Sequence, residues 1–336
     1  MPRTFPVLPI CLLLHLNVLN AQETLFMHLH SAQNREITLI CEWDSILMAN
    51  DNSSWDGLMV ETCENGTEEW KAGLTIRGKF RRAKCAFPPL EINVKKGALR
   101  DHGMMEFDKL KLVTHCDVEN QDPADIFEEL LVYQLYALLT EYSYRVLPLH
   151  VDYKYPNGKT FQKNADALIL EPTAELAYRL EGQELEGYGV PADSLDAMSY
   201  CRTALFQFMI GNFDWDHTLQ RNIKMIGPPG QYRLVPYDFD FSALVIPMYA
   251  RMPSDFGIKD FRDRVYLGSL FGDHLPQTIR EFIEKKDVLL SHVSNYEHLS
   301  KSRCREITSY LEKFFEFISQ ADVEIVKGTI LPYQEK

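Results

Sequence analysis

The chain has 336 residues, 46% of them hydrophobic and 12% aromatic, which is enough to bury one large core or two smaller ones. Its formal net charge is −13 at pH 7. This acidic balance argues against a general affinity for nucleic acid or for an anionic membrane surface. We therefore expect no nucleic-acid partner.

The first 21 residues have the composition of a secretory signal. Arg3 precedes an apolar run through Leu19, and the stretch ends at the small residue Ala21. The alternative is an N-terminal membrane anchor, but the run is short for spanning and contains prolines. No later segment reaches the roughly 20 apolar residues that a spanning helix needs. We predict an exported protein (periplasmic, cell-surface or secreted) without an integral membrane span after signal removal.

Residues 24–118 contain short runs of β-forming residues, separated by Asn, Asp and Gly turns. The predicted strands read LFMHLHS, REITLIC, GLTIRGKF, LEINVKK and DKLKLVTHC. Cys85 and Cys116 lie in this region. They could form a disulfide, since an exported protein permits disulfides among the cysteines beyond residue 21.

Helices and further strands follow. A first helix is predicted within 120–140, with Asp122 as N-cap and Pro123 at its first position. Strands return over 144–171, with PNG as the turn between them. A second helix is predicted over 194–210, and Gly211 suits its C-terminal end. Beyond residue 275 the pattern is helical.

This order predicts an α+β fold in two lobes. A β-rich N-terminal lobe over 22–170 carries one helix, and a mainly helical C-terminal lobe covers 171–336. The crossover falls at LILEPT, residues 168–173. We expect a cleft between the two lobes.

Residues 211–242 carry the strongest candidate for a site. GPPGQ predicts a turn that folds RNIKMI back against YRLVPYDFDF and places Asn222 near Asp238. Alternation along one strand would put Asp238 and Asp240 on the cleft face and the aromatic residues on the other. Asp214 and Asp216 follow the end of the second helix. These oxygen ligands suit Mg²⁺ or Mn²⁺.

The same aspartates have a purely structural interpretation. Aspartates at strand ends often cap turns or pair with arginines, and Arg221 and Arg233 are close in sequence. For an isolated Asp-x-Asp, this alternative would be preferred. The hairpin, the upstream NFDWD and a separate basic segment favour a site.

That basic segment is TIRGKFRRAKCAFPP. It places five cations, Arg77, Lys79, Arg81, Arg82 and Lys84, around Gly78. Such cations could clamp phosphates, and the glycine permits close backbone approach. The alternative is a solvated hairpin.

A lysine strand and a glutamate-bearing helix come next. Lys109 and Lys111 alternate with leucines in KLKLV, and Glu128 and Glu129 lie on the following helix. A Lys–Glu pair between strand and helix positions nucleotide phosphates in phosphoryl transferases. The alternative is an edge strand with exposed lysines.

The order of these motifs resembles atypical protein kinases of the CotH family of spore-coat kinases and, more distantly, HipA-type kinases. The resemblance covers roughly residues 70–245 and rests on RG…R…K, the lysine strand, LILE, NxD…N and PYDFD. Three of the strings, RGKFRRAKCAFPP, KLKLVTHC and VPYDFDFSALV, also resemble uncharacterised exported bacterial proteins.

The resemblance implies a bilobal protein-kinase-like fold that binds ATP with Mg²⁺ or Mn²⁺ between its lobes. Asp214 then orients the hydroxyl acceptor, while Asn222 and Asp238 hold the metal and Asp240 is the second acid of the motif. The implied nucleotide contacts are Lys111 for phosphate, Glu129 as its helix partner, Glu171 at the adenine hinge, and the basic stretch Arg77, Arg81 and Lys84.

The sequence departs from the kinase pattern. Kinase catalytic loops place the Asn five residues after the Asp. Here Asn222 follows Asp214 by eight residues and Asp216 by six, so Asp216 stays an alternative catalytic residue. Lys109 similarly stays an alternative to Lys111, and no glycine-rich loop is present.

The resulting expectation is an exported, ATP- and metal-dependent phosphotransferase with a protein or small-molecule hydroxyl acceptor. The alternative is a catalytically inactive, kinase-like envelope or surface protein that binds a partner in the cleft. A third interpretation, metal-dependent hydrolysis of a phosphoester, uses the same carboxylates but explains the basic stretch less well.

Overall fold

Two separate hydrophobic cores organise the chain. The structure is a computed structural model that describes residues 22–31, 36–49, 51–63, 66–116, 124–245 and 256–333. One core fills a β-barrel built from the first half, and the other lies in the helical second half. The predicted signal over 1–21 and the predicted helix cap at Asp122 and Pro123 lie outside the described residues.

Seven strands close into the barrel in the order β1-β2-β3-β4-β5-β7-β6. Neighbouring strands are antiparallel except β1 and β6, which pair in parallel and close the barrel. Alternate residues point inward, so the burial pattern of β4 alternates along its length. The strands are β1 Glu36–Ile40, β2 Ser54–Cys63, β3 Gly66–Ile76, β4 Leu90–Val94, β5 Lys109–Thr114, β6 Val146–Lys154 and β7 Thr160–Leu170.

Short helices decorate the barrel: α1 Leu25–Ser31, α2 Trp43–Ala49, α3 Lys79–Lys84 and α4 Lys96–Asp101. Two of them correct the sequence prediction. LFMHLHS, predicted as a strand, is helix α1, because Leu25 and Leu29 are buried four residues apart on one helical face. The predicted strand GLTIRGKF ends at Ile76, and Gly78, with φ 77°, turns the chain into α3.

Helix α5, Ala124–Ala137, follows β5 in the chain but packs into the second core. Its buried residues recur on most of its circumference, which is typical of a helix enclosed by other elements. Its contacts with the second half include the hydrogen bond from the Tyr296 hydroxyl to the Phe127 carbonyl, 2.9 Å long. The helix predicted within the β-rich part of the chain therefore packs against β6 and β7 of the barrel as well as against the helical half.

The second half is built around helix α7, Ala197–Ile210. Asp196 caps its N-terminus by accepting the Ser199 N–H, and Gly211 ends it in a left-handed conformation with φ 65°, as predicted. The other elements are α6 Thr173–Arg179, β8 Gln183–Glu184, β9 Ile223–Gly227, β10 Arg233–Pro236, β11 Arg264–Val265, α8 Leu275–Ser294, α9 Lys301–Ile318 and β12 Ile330–Leu331.

The α+β fold class with a strand-rich first half and a helical second half is confirmed. Cys85 and Cys116, flanking α3 and β5, form a disulfide, which fulfils the predicted pairing although neither cysteine lies on a strand. Among the described residues, no helix combines the length and the apolar composition needed to cross a membrane.

The conformation of VPYDFDFS differs from the prediction. Strand β10 ends at Pro236, and Asp238 adopts a left-handed backbone with φ 62°. This turn breaks the alternation of side chains that a continuous strand would impose. Phe239 enters the second core, whereas Tyr237 and Phe241 line the same cleft as the two aspartates. The aromatic and acidic side chains therefore do not separate onto opposite faces.

Candidate active site

The predicted acidic and basic segments meet in one cleft of about 700 Å³. The first half contributes Arg77 and Arg81 to its lining, at the end of β3 and on α3. The second half contributes acids and an amide, and α5 forms part of the wall. Its lining residues include Arg77, Arg81, Glu129, Tyr133, Asp214, Gln220, Arg221, Asn222, Tyr237, Asp238, Asp240 and Phe241.

The hairpin brings Asn222 to Asp238, as predicted. Strand β9 pairs with β10 so that Ile223 lies opposite Pro236, and the Tyr237 N–H donates to the Asn222 carbonyl at 3.1 Å. Asn222 therefore lies opposite Tyr237, the residue before Asp238, at the open end of the hairpin. Asn222 also has a left-handed backbone, with φ 53°.

Asp214 is held between two groups. Asn222 Nδ2 donates to the Asp214 carbonyl at 2.8 Å and to its Oδ2 at 3.1 Å, and Arg221 Nε lies 3.5 Å from Oδ1. Burial, opposed by Arg221 and reinforced by the nearby Asp238 carboxylate, raises the pKa of Asp214. A cation at this point would relieve the repulsion between Asp214 and Asp238.

Asp216 is not among the residues that line the cleft. Its backbone pairs with Arg221, and its Oδ1 accepts the Leu219 N–H at 2.9 Å. Asp216 therefore caps a turn, which is the structural alternative to a role in the site. Of the two catalytic candidates, Asp214 is the one in the cleft.

Glu129 and Tyr133 hold the segment around Asp238. The Asp238 N–H donates to the Tyr133 hydroxyl at 2.9 Å, and the Glu129 carboxylate interacts with that hydroxyl and with the Phe239 N–H. Burial and the Asp238 carboxylate raise the pKa of Glu129, while Arg81 lowers it. Sequence analysis missed Tyr133, although its position four residues after Glu129 on one helix could have identified it.

Lys111 and Glu129 do not form the predicted ion pair among the described residues. The Lys111 ammonium donates to Thr173 Oγ1 at 3.3 Å and lies 5.1 Å from the centre of the Tyr237 ring. The Tyr237 ring, which lines the cleft, therefore lies between the cleft and the Lys111 ammonium. Burial, followed by the charges of Arg77 and Lys224, lowers the pKa of Lys111 to about 7.

The other cations of the basic stretch do not all lie at the cleft. Arg81 donates to the Thr114 carbonyl at 2.6 Å and reaches the cleft, whereas Lys84 is exposed and is not among its lining residues. Lys109 is exposed at the start of β5. The segment is a strand end and a helix, and among its described side chains Arg77 and Arg81 line the cleft with the acids.

Glu171 is fully buried at the crossover between the two halves. Both of its carboxylate oxygens pair with Arg179, at 2.8 Å each, and Oε2 also accepts the Arg145 N–H. Its own N–H donates to the Arg145 carbonyl. These contacts fix the connection at the position predicted for the adenine hinge, and they occupy the Glu171 side chain.

Asp240 is buried and lines the cleft with Asp238. Asp214 and Asn222 line the same cleft. Carboxylate and amide oxygens of this kind are the ligands that Mg²⁺ and Mn²⁺ take in proteins. Three residues of this cleft, Gln220, Asn222 and Asp238, have left-handed backbones without being glycine. Such strain is concentrated at functional sites.

Comparisons with known proteins find a likeness among solved structures. No protein-family model and no curated protein matches the chain. Among solved structures, the crystal structure of the proinflammatory kinase CtkA of Helicobacter pylori matches with a TM-score of 0.36 and 8% identity, over 67% of this chain and 87% of that one. A likeness of this size transfers no activity and no site residue. The resemblance to CotH-like and HipA-like kinases stays a prediction from motifs.

Proposed function

We propose that the protein is an exported, metal-dependent phosphotransferase of kinase-like, bilobal organisation that transfers phosphate from ATP to a hydroxyl acceptor. The observation that carries the proposal is the composition of the cleft. Oxygen donors from the second half (Asp214, Asn222 and Asp238) face two arginines from the first half, Arg77 and Arg81. A bound nucleoside triphosphate needs both a metal ion and cationic side chains to offset the charge of its phosphates.

In this proposal Asn222, Asp238 and Asp240 hold Mg²⁺ or Mn²⁺, which when bound offsets the charge of the phosphates. Asp214 accepts a hydrogen bond from the acceptor hydroxyl and orients it for in-line attack. Arg77 and Arg81 stabilise the charge on the transferred group. Catalysis by such a site comes mainly from positioning and electrostatics.

The protonation state of Lys111 is expected to change when nucleotide binds. Its lowered pKa of about 7 leaves the ammonium partly deprotonated at neutral pH. A phosphate bound nearby would favour the charged form. The protein is therefore expected to take up a proton when nucleotide binds at pH 7.5. This holds whether the phosphate contacts Lys111 directly or acts on it electrostatically from the other side of the Tyr237 ring.

Two features support export. The apolar stretch ending at Ala21 has the composition of a signal, and Cys85 and Cys116 form a disulfide. Disulfides persist mainly in oxidising compartments. The disulfide also ties the end of α3, the helix that carries Arg81, to the end of β5.

The test is the melting temperature of the purified protein with a non-hydrolysable ATP analogue and Mn²⁺. The wild type is expected to shift upward by several degrees, because a ligand that binds only the folded state stabilises it. Asp238→Ala should lose the shift. Asp216→Ala is the matched control, since that aspartate lies outside the cleft lining, and it should keep the shift. A wild type that never responds to nucleotide contradicts the proposal.

A catalytically inactive binding protein is the second candidate, favoured by one observation. Both carboxylate oxygens of Asp214 are engaged, by Asn222 and Arg221, before any substrate is present. Transfer of labelled γ-phosphate separates the candidates. An active enzyme loses transfer in Asp214→Asn while keeping the nucleotide shift. Nucleotide binding without transfer to water or to any hydroxyl acceptor supports the inactive form.

A further inference from the structure

A second cluster of ligand-type side chains lies on the barrel, and none of its members lines the cleft. It consists of His28 on α1, Glu61 on β2 and Glu68 on β3, whose nearest ligand atoms all lie within 4.8 Å of one another. His28 Nε2 is 3.1 Å from Glu61 Oε2 and 3.5 Å from Glu68 Oε2. Three separate elements therefore direct ligand atoms at one point.

The two glutamates are direct cross-strand partners in the β2–β3 pair. Like charges in this position are destabilising. Glu61 is only 1% exposed, so water cannot screen its charge. A buried carboxylate beside a second carboxylate requires a compensating cation.

The contact between His28 and Glu61 is buried. Glu61 Oε2 and His28 Nε2 face each other at 3.1 Å, and neither atom has a further hydrogen-bond partner among the described residues. Ligand atoms about 2.1 Å from a tetrahedral metal lie about 3.4 Å from one another. The two observed separations, 3.1 and 3.5 Å, bracket that value.

Further side chains contact the candidate ligands, as is usual around metal sites. His102 Nδ1 is 2.7 Å from the Ala98 carbonyl, and its Nε2 is 2.8 Å from Glu68 Oε1. Because a carbonyl and a carboxylate oxygen only accept, the ring donates from Nδ1 to Ala98 and from Nε2 to Glu68 when it makes both contacts. Glu23 Oε1 lies 3.6 Å from His28 Nδ1. A carboxylate on the far side of a ligating imidazole is common at metal sites.

We propose that His28, Glu61 and Glu68 bind a divalent transition metal, most favourably Zn²⁺, which fastens α1 to the β2–β3 hairpin. An imidazole combined with carboxylates suits Zn²⁺ better than Mg²⁺ or Ca²⁺, which take oxygen ligands. His102 stands next to the site and supports it through its contact with Glu68. The competing account is a protonated His28 that bridges the two carboxylates with no metal.

The test uses Co²⁺ as a spectroscopic substitute for Zn²⁺. Purified protein is stripped with EDTA and titrated with Co²⁺, and visible absorption and bound metal are measured. The wild type is expected to bind one equivalent at this site and to release it to Zn²⁺. His28→Gln and Glu68→Gln should weaken binding by at least about 10-fold. Glu68 is half-buried, so its variant folds even if a change at a more buried ligand does not.

Two controls isolate the site. His150→Gln removes another histidine that pairs with a carboxylate on the barrel, Asp166 at 3.1 Å, and should leave Co²⁺ binding unchanged. The part of the Co²⁺ binding that His28→Gln removes should survive in Asp238→Ala, which separates this site from the divalent-metal site proposed for the cleft. If the wild type binds no Co²⁺, or if His28→Gln and Glu68→Gln bind it as tightly as the wild type, the proposal fails and the protonated ion pair explains the cluster.

Discussion

The Tyr133 hydroxyl connects helix α5 to the acidic residues of the cleft. It accepts the Asp238 N–H at 2.9 Å and interacts with the buried Glu129 carboxylate. Its ring packs edge-on against Phe239, with 4.8 Å between the centroids. One side chain therefore fixes both the left-handed turn at Asp238 and the acid beside it.

Tyr133→Phe keeps the ring and removes the hydroxyl. We expect a loss of about 1–3 kcal/mol in the free energy of unfolding, because the Asp238 N–H and Glu129 each lose a buried partner. The variant should also reduce the melting-temperature shift with nucleotide and Mn²⁺. Urea unfolding and thermal melts measure the two effects.

Tyr136→Phe is the matched control on the same helix. Its hydroxyl bonds Thr203 at 2.9 Å and the Leu234 carbonyl at 3.3 Å, so the stability loss should be similar. The nucleotide shift should survive, because these partners do not line the cleft. Equal nucleotide shifts in the two variants would contradict the role assigned to Tyr133.

Among the elements, helix α7 sets the position of Asp214 in the cleft, because that residue follows directly on the end of the helix. Gly211 terminates the helix with φ 65°, and Asp214 follows three residues later. A Cβ atom at Gly211 would lie 2.8 Å from the Ala243 Cβ and would also collide with the Tyr310 hydroxyl. Glycine is required here both by the backbone conformation and by the packing of α9.

Gly211→Ala is therefore expected to cost about 3 kcal/mol, the sum of left-handed strain and overpacking. Gly230→Ala is the control, because Gly230 also has positive φ, 81°, but no atom lies within 4 Å of an added Cβ. That variant should cost only about 1 kcal/mol. Urea unfolding compares the two, and the prediction is wrong if their costs are equal.

Local signals predicted the elements of the helical half well. The GPPGQ turn and the glycine after α7 act over a few residues, so the hairpin, the helix end and the meeting of Asn222 with Asp238 could be anticipated. The short apolar run of α1 could not be assigned by periodicity, because seven residues fit either a strand or a helix.

Long-range packing set the rest of the site. Nothing in KLKLV reveals that Tyr237 covers Lys111, and nothing in LILE reveals that Arg179 holds Glu171. Closure of the barrel by the parallel pair of β1 and β6 joins strands about 110 residues apart. Such partners depend on the whole fold and have no local signature.

At the scale of the whole molecule, Thr24 and Glu175 connect the start of the described chain to α6. The Thr24 hydroxyl donates to Glu175 Oε1 at 2.7 Å across 151 residues, while Oε2 has no hydrogen-bond partner. Burial raises the pKa of Glu175 to about 7. The folded state therefore holds a proton that the unfolded chain releases between about pH 4.5 and pH 7.

Because the unfolded state binds fewer protons in that window, this group makes stability fall as pH rises from about 4.5 to 7. Glu175→Gln removes the titration, and should reduce the loss between pH 5 and pH 7.5 by on the order of 2 kcal/mol. Urea unfolding at both pH values measures it. The exposed Glu36→Gln is the control, and equal losses in wild type and Glu175→Gln would contradict the prediction.

The packing of α5 with the second core has a consequence for how the chain folds. Synthesis delivers α5 before its partner α7, and delivers β1 long before β6. The chain up to the end of α5 therefore has an uncovered apolar helix and an open barrel edge until β6 and α7 are synthesised. Formation of these distant contacts is expected to make folding slow and to make the waiting intermediate prone to association. The two halves, although their cores are separate, should fold as one cooperative unit.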